Sequence, residues 1–378
     1  MEDAWSEFAR AIEAAGAQVQ RDGDSPRVCA DGVAYLAGLV EVALQQQLHG
    51  ADPARPRFVA NPSATAKWGA ENADNRYLWA PLDPAASYCV RGRRGTSFEL
   101  LFEVKEGFMQ LGAPRNFAAR VASQMTIDAS GDFEVWLGGP ARDGNWLPLD
   151  PDARWLLVRE YFLDWEREEP AQLAIERVGA DTGVPAPDPA RIAAQLRAAA
   201  TWVDGTLRFW NEWVTQLRDA HEPGRLVPAR RYEGGADDIL YGNDWFRLRD
   251  DEALVVSCDV PDARYWQFQL CDSWFRSLDY ANRQTSLNAA QLQRDADGRI
   301  RIVVASRDPG VANWLDTTGL AEGVFQFRFV WARTTPQPSA HCVSLVRLPE
   351  ELPKGTVRVT PAQRRRAISV RQRHVARR

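Results

Sequence analysis

Residues able to do acid–base chemistry are densest in the second half of the chain, between two predicted strands. The group combines carboxylates, guanidinium groups, amides and a phenol: Asp272, Arg276, Asp279, Tyr280, Asn282, Arg283, Gln284 and Asn288, with Asp316 further along. A carboxyl group buried beside aromatic side chains has a raised pKa and can act as a general acid or base. We therefore predict Asp272 and Asp279 as catalytic carboxylates and Arg283 as the holder of an anionic or carbonyl oxygen.

The residues around this group are predicted to form an aromatic pocket. The chain has fifteen tryptophans, fifteen phenylalanines and eight tyrosines, and aromatic side chains contribute much of the surface that proteins bury. The predicted substrate-binding residues are Tyr265, Trp266, Trp274, Asn288, Asn313, Trp314 and Asp316. Such a pocket suits a hydrophobic small molecule that is lipid-, isoprenoid- or steroid-like. The alternative is a network of Asp–Arg pairs that ties loops together, since structural ion pairs resemble active sites in composition.

The familiar metal and cofactor motifs are missing from the sequence. The four histidines have neither H-x-x-x-H nor H-E-x-x-H spacing, which a helical zinc site requires. There is no G-x-S-x-G, no Walker loop and no G-x-G-x-x-G after a predicted strand, so the commonest hydrolase and nucleotide-binding classes are disfavoured. We predict no metal and no cofactor.

Composition points to a globular protein with a small-molecule partner. The chain has 46 basic and 51 acidic residues, a net charge of −5, which gives no reason to expect nucleic acid. The five cysteines are scattered, with no C-x-x-C pair, as in reduced cytosolic proteins. The N-terminus is acidic and amphipathic, and no run of about 18 apolar residues occurs. We predict a cytoplasmic protein with no integral membrane segment, and a homo-oligomer stays open.

The elements that must position the site residues are mostly short strands. Alternating apolar and polar residues between Gly, Pro, Asp and Asn turns are typical of antiparallel sheets, whereas 3.6-residue periodicity after Asp188-Pro189 predicts a long helix. The predicted segments are an N-terminal helical segment (1–57), a first β-sandwich unit (58–180), a linking helix and loop (181–231), a second β-sandwich unit (232–350) and a C-terminal helix (351–378). That last helix is basic and could contact phosphate or anionic lipid, although docking on the protein body or solvation is the simpler role.

An internal repeat is the strongest pattern in the sequence, and repeats of this kind reveal architecture. In each half a strand of alternating residues leads to an Asp-Gly or Pro-Gly turn, an Asn-Trp-Leu corner and then a strand with an Arg among aromatics. The matching positions are Phe133, Val135, Asn145, Trp146 and Arg159 in the first half, and Ile300, Ile302, Asn313, Trp314 and Arg328 in the second. We predict a mainly β protein with flanking helices, whose two related β-sandwich halves are joined by a long helix. The corner is interpreted first as a packing device, in which the Trp plugs the sandwich and the Asn bonds loop backbone.

The same residues carry a family resemblance over most of the chain. The stretches KWGAENADNRYLWAPLD, YWQFQLCDSWFRSLDYANRQTSLN and DADGRIRIVVASRDPGVANWLDTTG resemble the signature of the domain-of-unknown-function family numbered 1214. That resemblance implies a jelly-roll-like C-terminal β-sandwich and no assigned activity. It also implies a His where this chain has Leu320, so any chemistry that depends on that His is not expected here.

Three classes of function follow from these observations. The first is an enzyme that acts on a hydrophobic small molecule by carboxylate acid–base chemistry in the aromatic pocket. The second is a non-catalytic carbohydrate- or ligand-binding β-sandwich, with exposed aromatics that stack on sugar faces. The third is a structural or assembly protein. An enclosed cavity, an open aromatic shelf and a flat apolar patch would distinguish them.

Overall fold

The computed structural model describes residues 2–180, 183, 186–222, 224–236 and 238–378. Residues 181, 182, 184 and 185 of the predicted linking segment therefore lie outside the described residues. The chain divides into two compact units: Met1–Trp68, Asn75–Phe162 and Glu168–Trp210 form the first, and Gly69–Asp74, Leu163–Arg167 and Asn211–Arg378 form the second. Four sheets and several helices confirm the predicted fold class, mainly β with two related halves and a long helix between them in the chain.

Five helices flank the strands, and side-chain caps define several of their ends. They are α1 (Glu2–Asp22), α2 (Pro26–Leu44), α3 (Pro189–Asp219), α4 (Leu348–Glu351) and α5 (Pro361–Val375). Helix α2 begins at Pro26, directly after Ser25, whose hydroxyl accepts from the Val28 N–H. Helix α3 begins at Pro189 as predicted, and Asp188 accepts from the Ala190 N–H. Thr360 starts α5 with a capping box.

The first unit contains nine strands in two sheets. They are β1 (Val59–Ala60), β2 (Asn75–Pro81), β3 (Tyr88–Arg93), β4 (Glu99–Lys105), β5 (Asn116–Val121), β6 (Asp132–Leu137), β7 (Trp146–Leu147), β8 (Trp155–Tyr161) and β9 (Gln172–Arg177). The sheet orders are β1-β2-β8-β4-β5 and β7-β6-β3-β9. The inner faces of both sheets share one apolar core that includes Tyr88, Phe102 and Val158.

The second unit contains eight strands, again in two sheets. They are β10 (Ile239–Arg247), β11 (Glu252–Cys258), β12 (Ala263–Cys271), β13 (Ser286–Asn288), β14 (Ile300–Ala305), β15 (Trp314–Asp316), β16 (Glu322–Ala332) and β17 (Ser339–Ser344). The sheet orders are β10-β16-β12-β13 and β15-β14-β11-β17. Aromatic residues fill the core between them, with Phe268, Phe325 and Phe327 fully buried. Gly242 lies under Phe327, where an added Cβ would stand only 2.0 Å from the ring.

The two units repeat the same topology strand for strand. If eight is added to each of the numbers β2 to β9, the two sheet orders of the first unit become those of the second. Even the parallel pair β6–β7 has its counterpart in β14–β15. The shared strand order covers eight strands of each unit. It therefore agrees with the internal repeat in the sequence.

The Asn-Trp-Leu corners have the same hydrogen bonds in both units. The Asn145 amide donates to the carbonyls of Thr126 and Glu134 and accepts from the Thr126 N–H. Asn313 makes the three equivalent bonds, with Gln293 and Arg301. The indole N–H groups of the two following tryptophans each donate to a backbone carbonyl. The corner is therefore a packing device in both copies.

Within the described part of the chain, Pro26–His49 is the one helical segment long and apolar enough to cross a membrane by length and composition. Core helices of globular proteins share both properties, and this helix buries Tyr35, Leu39 and Val42. The cytoplasmic location and the absence of an integral membrane segment stay predictions.

Candidate functional site

The predicted catalytic residue Asp272 belongs to a local turn. Its carboxylate is buried and accepts from the backbone N–H groups of Trp274 and Arg276, at 3.0 Å each. The Arg276 guanidinium adds contacts of 2.7 and 2.8 Å. A carboxylate with this many donors is fully engaged in holding its own turn.

Asp279 and Arg283 have different partners from Asp272. Asp279 is exposed and accepts from the backbone and side-chain N–H groups of Asn282. Arg283 is half exposed and pairs at 3.1 Å with Asp316, which also accepts from the Thr318 N–H. The side chains of the three predicted catalytic residues thus take part in three separate local interactions.

The predicted aromatic wall residues lie in different parts of the second unit. Trp266 is part of the core between the sheets of the second unit, and Trp314 lies at its corner with Asn313. Trp274 is buried. In the second unit a groove of about 420 Å³ runs along α5, and its lining includes Trp165, Gln291 and Arg366 but none of the predicted site residues.

Tyr265 and Asn288, in contrast, belong to one site, which differs from the predicted pocket. They lie on the outer face of the sheet β10-β16-β12-β13, opposite the aromatic core. Residues in register across the four strands form two polar rows on this face: Tyr241, Arg328, Gln267 and Asn288, then Asn243, Gln326, Gln269 and Ser286. All except half-buried Tyr241 are at most 4% exposed. We call these eight residues and Tyr265 the polar face.

Amide side chains link three strands of the polar face. Gln267 donates to Gln269, Gln269 donates to Gln326, and Gln326 donates to Asn243, at 3.2, 2.8 and 2.6 Å. Burial of an amide group costs free energy unless the group is hydrogen-bonded. The bonds that run from Gln267 to Asn243 satisfy most of the donors and acceptors of these amides. The polar face therefore consists of buried side chains that hydrogen-bond with one another across the strands.

A segment from the first half of the chain, Gly69–Asp74, binds to the polar face; we call it the strap. The Gln269 amide accepts from the Ala73 N–H at 3.1 Å and donates to the Glu71 carbonyl at 2.8 Å. Ala70 N–H donates to the Phe275 carbonyl at 2.6 Å. The polar face thus provides a docking register for a segment almost two hundred residues away in sequence.

The strap ends at Asp74, the most enclosed carboxyl group of this region. Three donors reach it: Tyr265 Oη at 2.6 Å, Asn288 Nδ2 at 2.8 Å and Trp165 Nε1 at 2.8 Å. Burial raises the pKa of Asp74, and the hydrogen bond from Tyr265 and the charge of Arg378 oppose that rise. Burial also raises the pKa of Tyr265 well above its usual value. The pair can therefore hold or pass a proton.

Arg328 is the exceptional residue of the polar face. It is 4% exposed, and no carboxylate of the described residues lies within ion-pairing distance. Its Nη2 donates to the Ala70 carbonyl, and its guanidinium lies 5.5 Å from the centre of the Tyr241 ring. Its Nη1 is buried, and no acceptor of the described residues reaches it. A buried cation without an anion is costly.

The first unit shows how the repeat ordinarily treats this position. Arg159 occupies the equivalent place on β8, opposite Tyr77 and with its guanidinium 5.7 Å from that ring. It pairs at 2.6 Å with Glu103, a buried residue on β4. In the register of the second unit, Gln269 on β12 corresponds to Glu103. The carboxylate partner of this arginine is thus replaced by an amide in the second unit.

Comparisons with known proteins place the chain in a family without supplying a function. No curated protein matches it. A solved structure of an uncharacterized protein from Burkholderia cenocepacia is 35% identical, with a TM-score of 0.86, over 91% of this chain and 97% of that chain. This chain belongs to the same family as that protein. The VPA0106 protein from Vibrio parahaemolyticus is 12% identical with a TM-score of 0.46, over 88% and 98% of the two chains.

The predicted resemblance to the family numbered 1214 is wrong. The family model that matches is the protein of unknown function (DUF1254), over residues 220–303. That interval contains the whole stretch from Tyr265 to Asn288 on which the resemblance chiefly relied. Strand alternation and Asp-Gly turns recur in many β-sandwiches, so they do not separate one such family from another.

Arg328, Gln267, Gln269 and Asp74 were not predicted as site residues from the sequence. A signal for the first three was present: Gln and Arg alternate with aromatics in RYWQFQL and VFQFRFVW. Polar residues at every second position of strands rich in aromatics indicate a sheet with one apolar and one polar face. No sequence signal marked Asp74, because its partners Tyr265 and Asn288 are distant in the chain.

Proposed function

We propose that this protein binds a small anionic molecule, such as a carboxylate, at the polar face of its second unit, with Arg328 as the anion holder. One observation carries the proposal. Arg159 of the first unit has the buried Glu103 as its counter-ion, whereas the equivalent Arg328 has only the amide of Gln269 in that place. A ligand carboxylate would supply the missing negative charge.

The energetics of burial support this assignment. Removal of a guanidinium from water costs several kcal/mol, and an unpaired buried charge recovers little of that cost. A planar fork of N–H donors binds a carboxylate well and discriminates against neutral groups. An anion at Arg328 would therefore stabilise the folded state.

The proposed anionic ligand differs from the hydrophobic substrate that the tryptophan content predicted. Those aromatic side chains pack among themselves: Trp68, Phe108 and Trp202 are mutual neighbours in the first unit. In the second unit Trp165 has His374 stacked on its ring at 5.2 Å. Polar groups, in contrast, line the face around Arg328, which favours a polar ligand.

Thermal denaturation of the full chain with acetate, propionate, lactate, succinate and the neutral control acetamide tests the proposal. We expect one or more carboxylates, but not acetamide, to raise the Tm in proportion to the logarithm of concentration. Arg328→Met should abolish this shift, and it should fold well because it removes an uncompensated buried charge.

Arg283→Met is the matched control, because the sequence predicted Arg283 as the anion holder and its half-exposed guanidinium is already paired with the buried Asp316. It should leave the carboxylate response intact. The proposal fails if no carboxylate raises the Tm, or if the response survives in Arg328→Met and is lost in Arg283→Met.

A catalytic role is the second candidate, and it is favoured by the Asp74–Tyr265 pair. Tyr265 lies two residues before Gln267 on the same face of β12, so the pair adjoins Arg328 on the sheet. A buried carboxyl and phenol could move a proton on a bound anion. If so, long incubation with the bound acid should yield a product by mass spectrometry. Tyr265→Phe should then retain binding and lose product.

A further inference from the structure

The orientation of the amides on the polar face is determined by the backbone of the strap. The Ala73 N–H donates to Gln269 Oε1, so Gln269 Nε2 must point the other way, where it meets the Glu71 carbonyl. Gln267 also donates to Gln269 Oε1 through its own Nε2. The Gln267 Oε1 atom therefore points away from Gln269, and its identity as an acceptor is secure.

That oxygen has no donor. Gln267 Oε1 is buried, and no N–H or O–H of the described residues reaches it. Gln267 lies directly opposite Arg328 on the neighbouring antiparallel strand, a placement that brings Cβ atoms to about 5 Å. Arg328 Nη1 lacks an acceptor in the same region, and the two atoms do not form a hydrogen bond with each other.

A buried donor and a buried acceptor thus stand side by side with their requirements unmet. A simple carboxylate would satisfy Arg328 but would bring an acceptor towards Gln267 Oε1. A neutral amide would offer an acceptor to Arg328 and a donor to Gln267, but it would not neutralise the charge of Arg328. A carboxylate with a hydroxyl or amine on the adjacent carbon offers an anion to one residue and a donor to the other.

We infer that the ligand of the polar face is an α-hydroxy or α-amino carboxylate, whose hydroxyl or amine donates to Gln267 Oε1 while its carboxylate pairs with Arg328. This inference rests on the proposed function and specifies its ligand class. It makes Gln267 the residue that distinguishes hydroxy acids from plain acids.

Lactate and propionate test the inference, since they differ by the single α-hydroxyl. Isothermal titration of the full chain should give about tenfold tighter binding of lactate, the usual value of one buried hydrogen bond. Alanine, compared with propionate in the same way, reports the amine. Gln267→Met keeps the side-chain length without the acceptor, so it should bind lactate and propionate with equal affinity.

The outcomes separate the two proposals. If no acid binds the wild-type chain, the proposed function itself is overturned. If acids bind through Arg328 but lactate has no advantage over propionate in the wild type, or the advantage persists in Gln267→Met, only the ligand class is wrong. Should Gln267→Met not fold, the ratios measured on the wild type still decide.

Discussion

Arg328 lies at the position in the second unit that Arg159 occupies in the first, yet only Arg159 has a carboxylate partner. Each arginine faces a tyrosine on the first strand of the repeated topology, and each guanidinium lies between 5 and 6 Å from that ring. At the position that supplies the counter-ion in the first copy, Glu103 of one copy is replaced by Gln269 in the other. The first copy pairs its arginine internally, whereas in our proposal an external anion pairs with the arginine of the second copy.

Gln269→Glu should convert the second copy to the arrangement of the first. The new carboxylate would pair with Arg328 and compete with any bound acid, so the Tm shift caused by carboxylates should disappear. The reciprocal change Glu103→Gln in the first copy leaves Arg328 as it is and removes the counter-ion of Arg159, so the carboxylate response should persist or increase. A full response in Gln269→Glu would contradict the role of Arg328.

Glu103→Gln should itself destabilise the protein. Glu103 is buried and the Arg159 side chain is 12% exposed, and removal of one partner from a buried pair costs up to about 3–5 kcal/mol because the other charge is left largely in the interior. Urea unfolding of both proteins would measure the loss. The double change with Arg159→Met should recover part of the stability, and a loss below about 1 kcal/mol for the single change would show that the pair is solvated.

The corner asparagines should act as equivalent structural residues. Asn145→Ala and Asn313→Ala each remove three hydrogen bonds to backbone, so each should lower the free energy of unfolding by about 2–3 kcal/mol. Neither should alter carboxylate binding. Loss of binding in Asn313→Ala with normal stability would instead support its predicted role as a substrate-binding residue.

His374 should make the protein sensitive to mild acid. Burial, together with the charges of Arg378 and Arg377, lowers the pKa of His374 to about 2, whereas an unfolded histidine titrates near 6.5. Above about pH 6.5 both states are neutral and this group contributes nothing. As pH falls below that value the unfolded state takes up a proton that the folded state refuses, so stability declines.

His374→Phe isolates this effect, since it keeps the stacking on Trp165 without a titratable group. The variant should lose less Tm than the wild type between pH 7.5 and 5.5. Asp244 acts in the opposite sense: burial raises its pKa to about 6, so it favours the folded state as pH falls from about 7 towards 4. The comparison of variant with wild type cancels that contribution, and equal slopes would rule out His374 as the source.

The sequence was sufficient for the architecture because strand alternation and the repeat are local patterns. Asp188-Pro189 likewise marked the start of a helix by short-range capping alone. The site was harder, because density of polar residues in a loop is a poor guide: Asp272 is occupied with its own turn. The decisive contrast between Glu103 and Gln269 can be recognised only when the two copies are aligned by their strand register.

The strap also has a consequence for the order of events during synthesis. Gly69–Asp74 leaves the ribosome early, while Gln269, which binds Ala73, follows 196 residues later. The nascent chain must therefore carry the Asp74 carboxyl and the strap backbone without their final partners through most of translation. A fragment that begins at the long helix α3 would lack the strap altogether, and we expect it to expose the polar face and to require the missing peptide in trans.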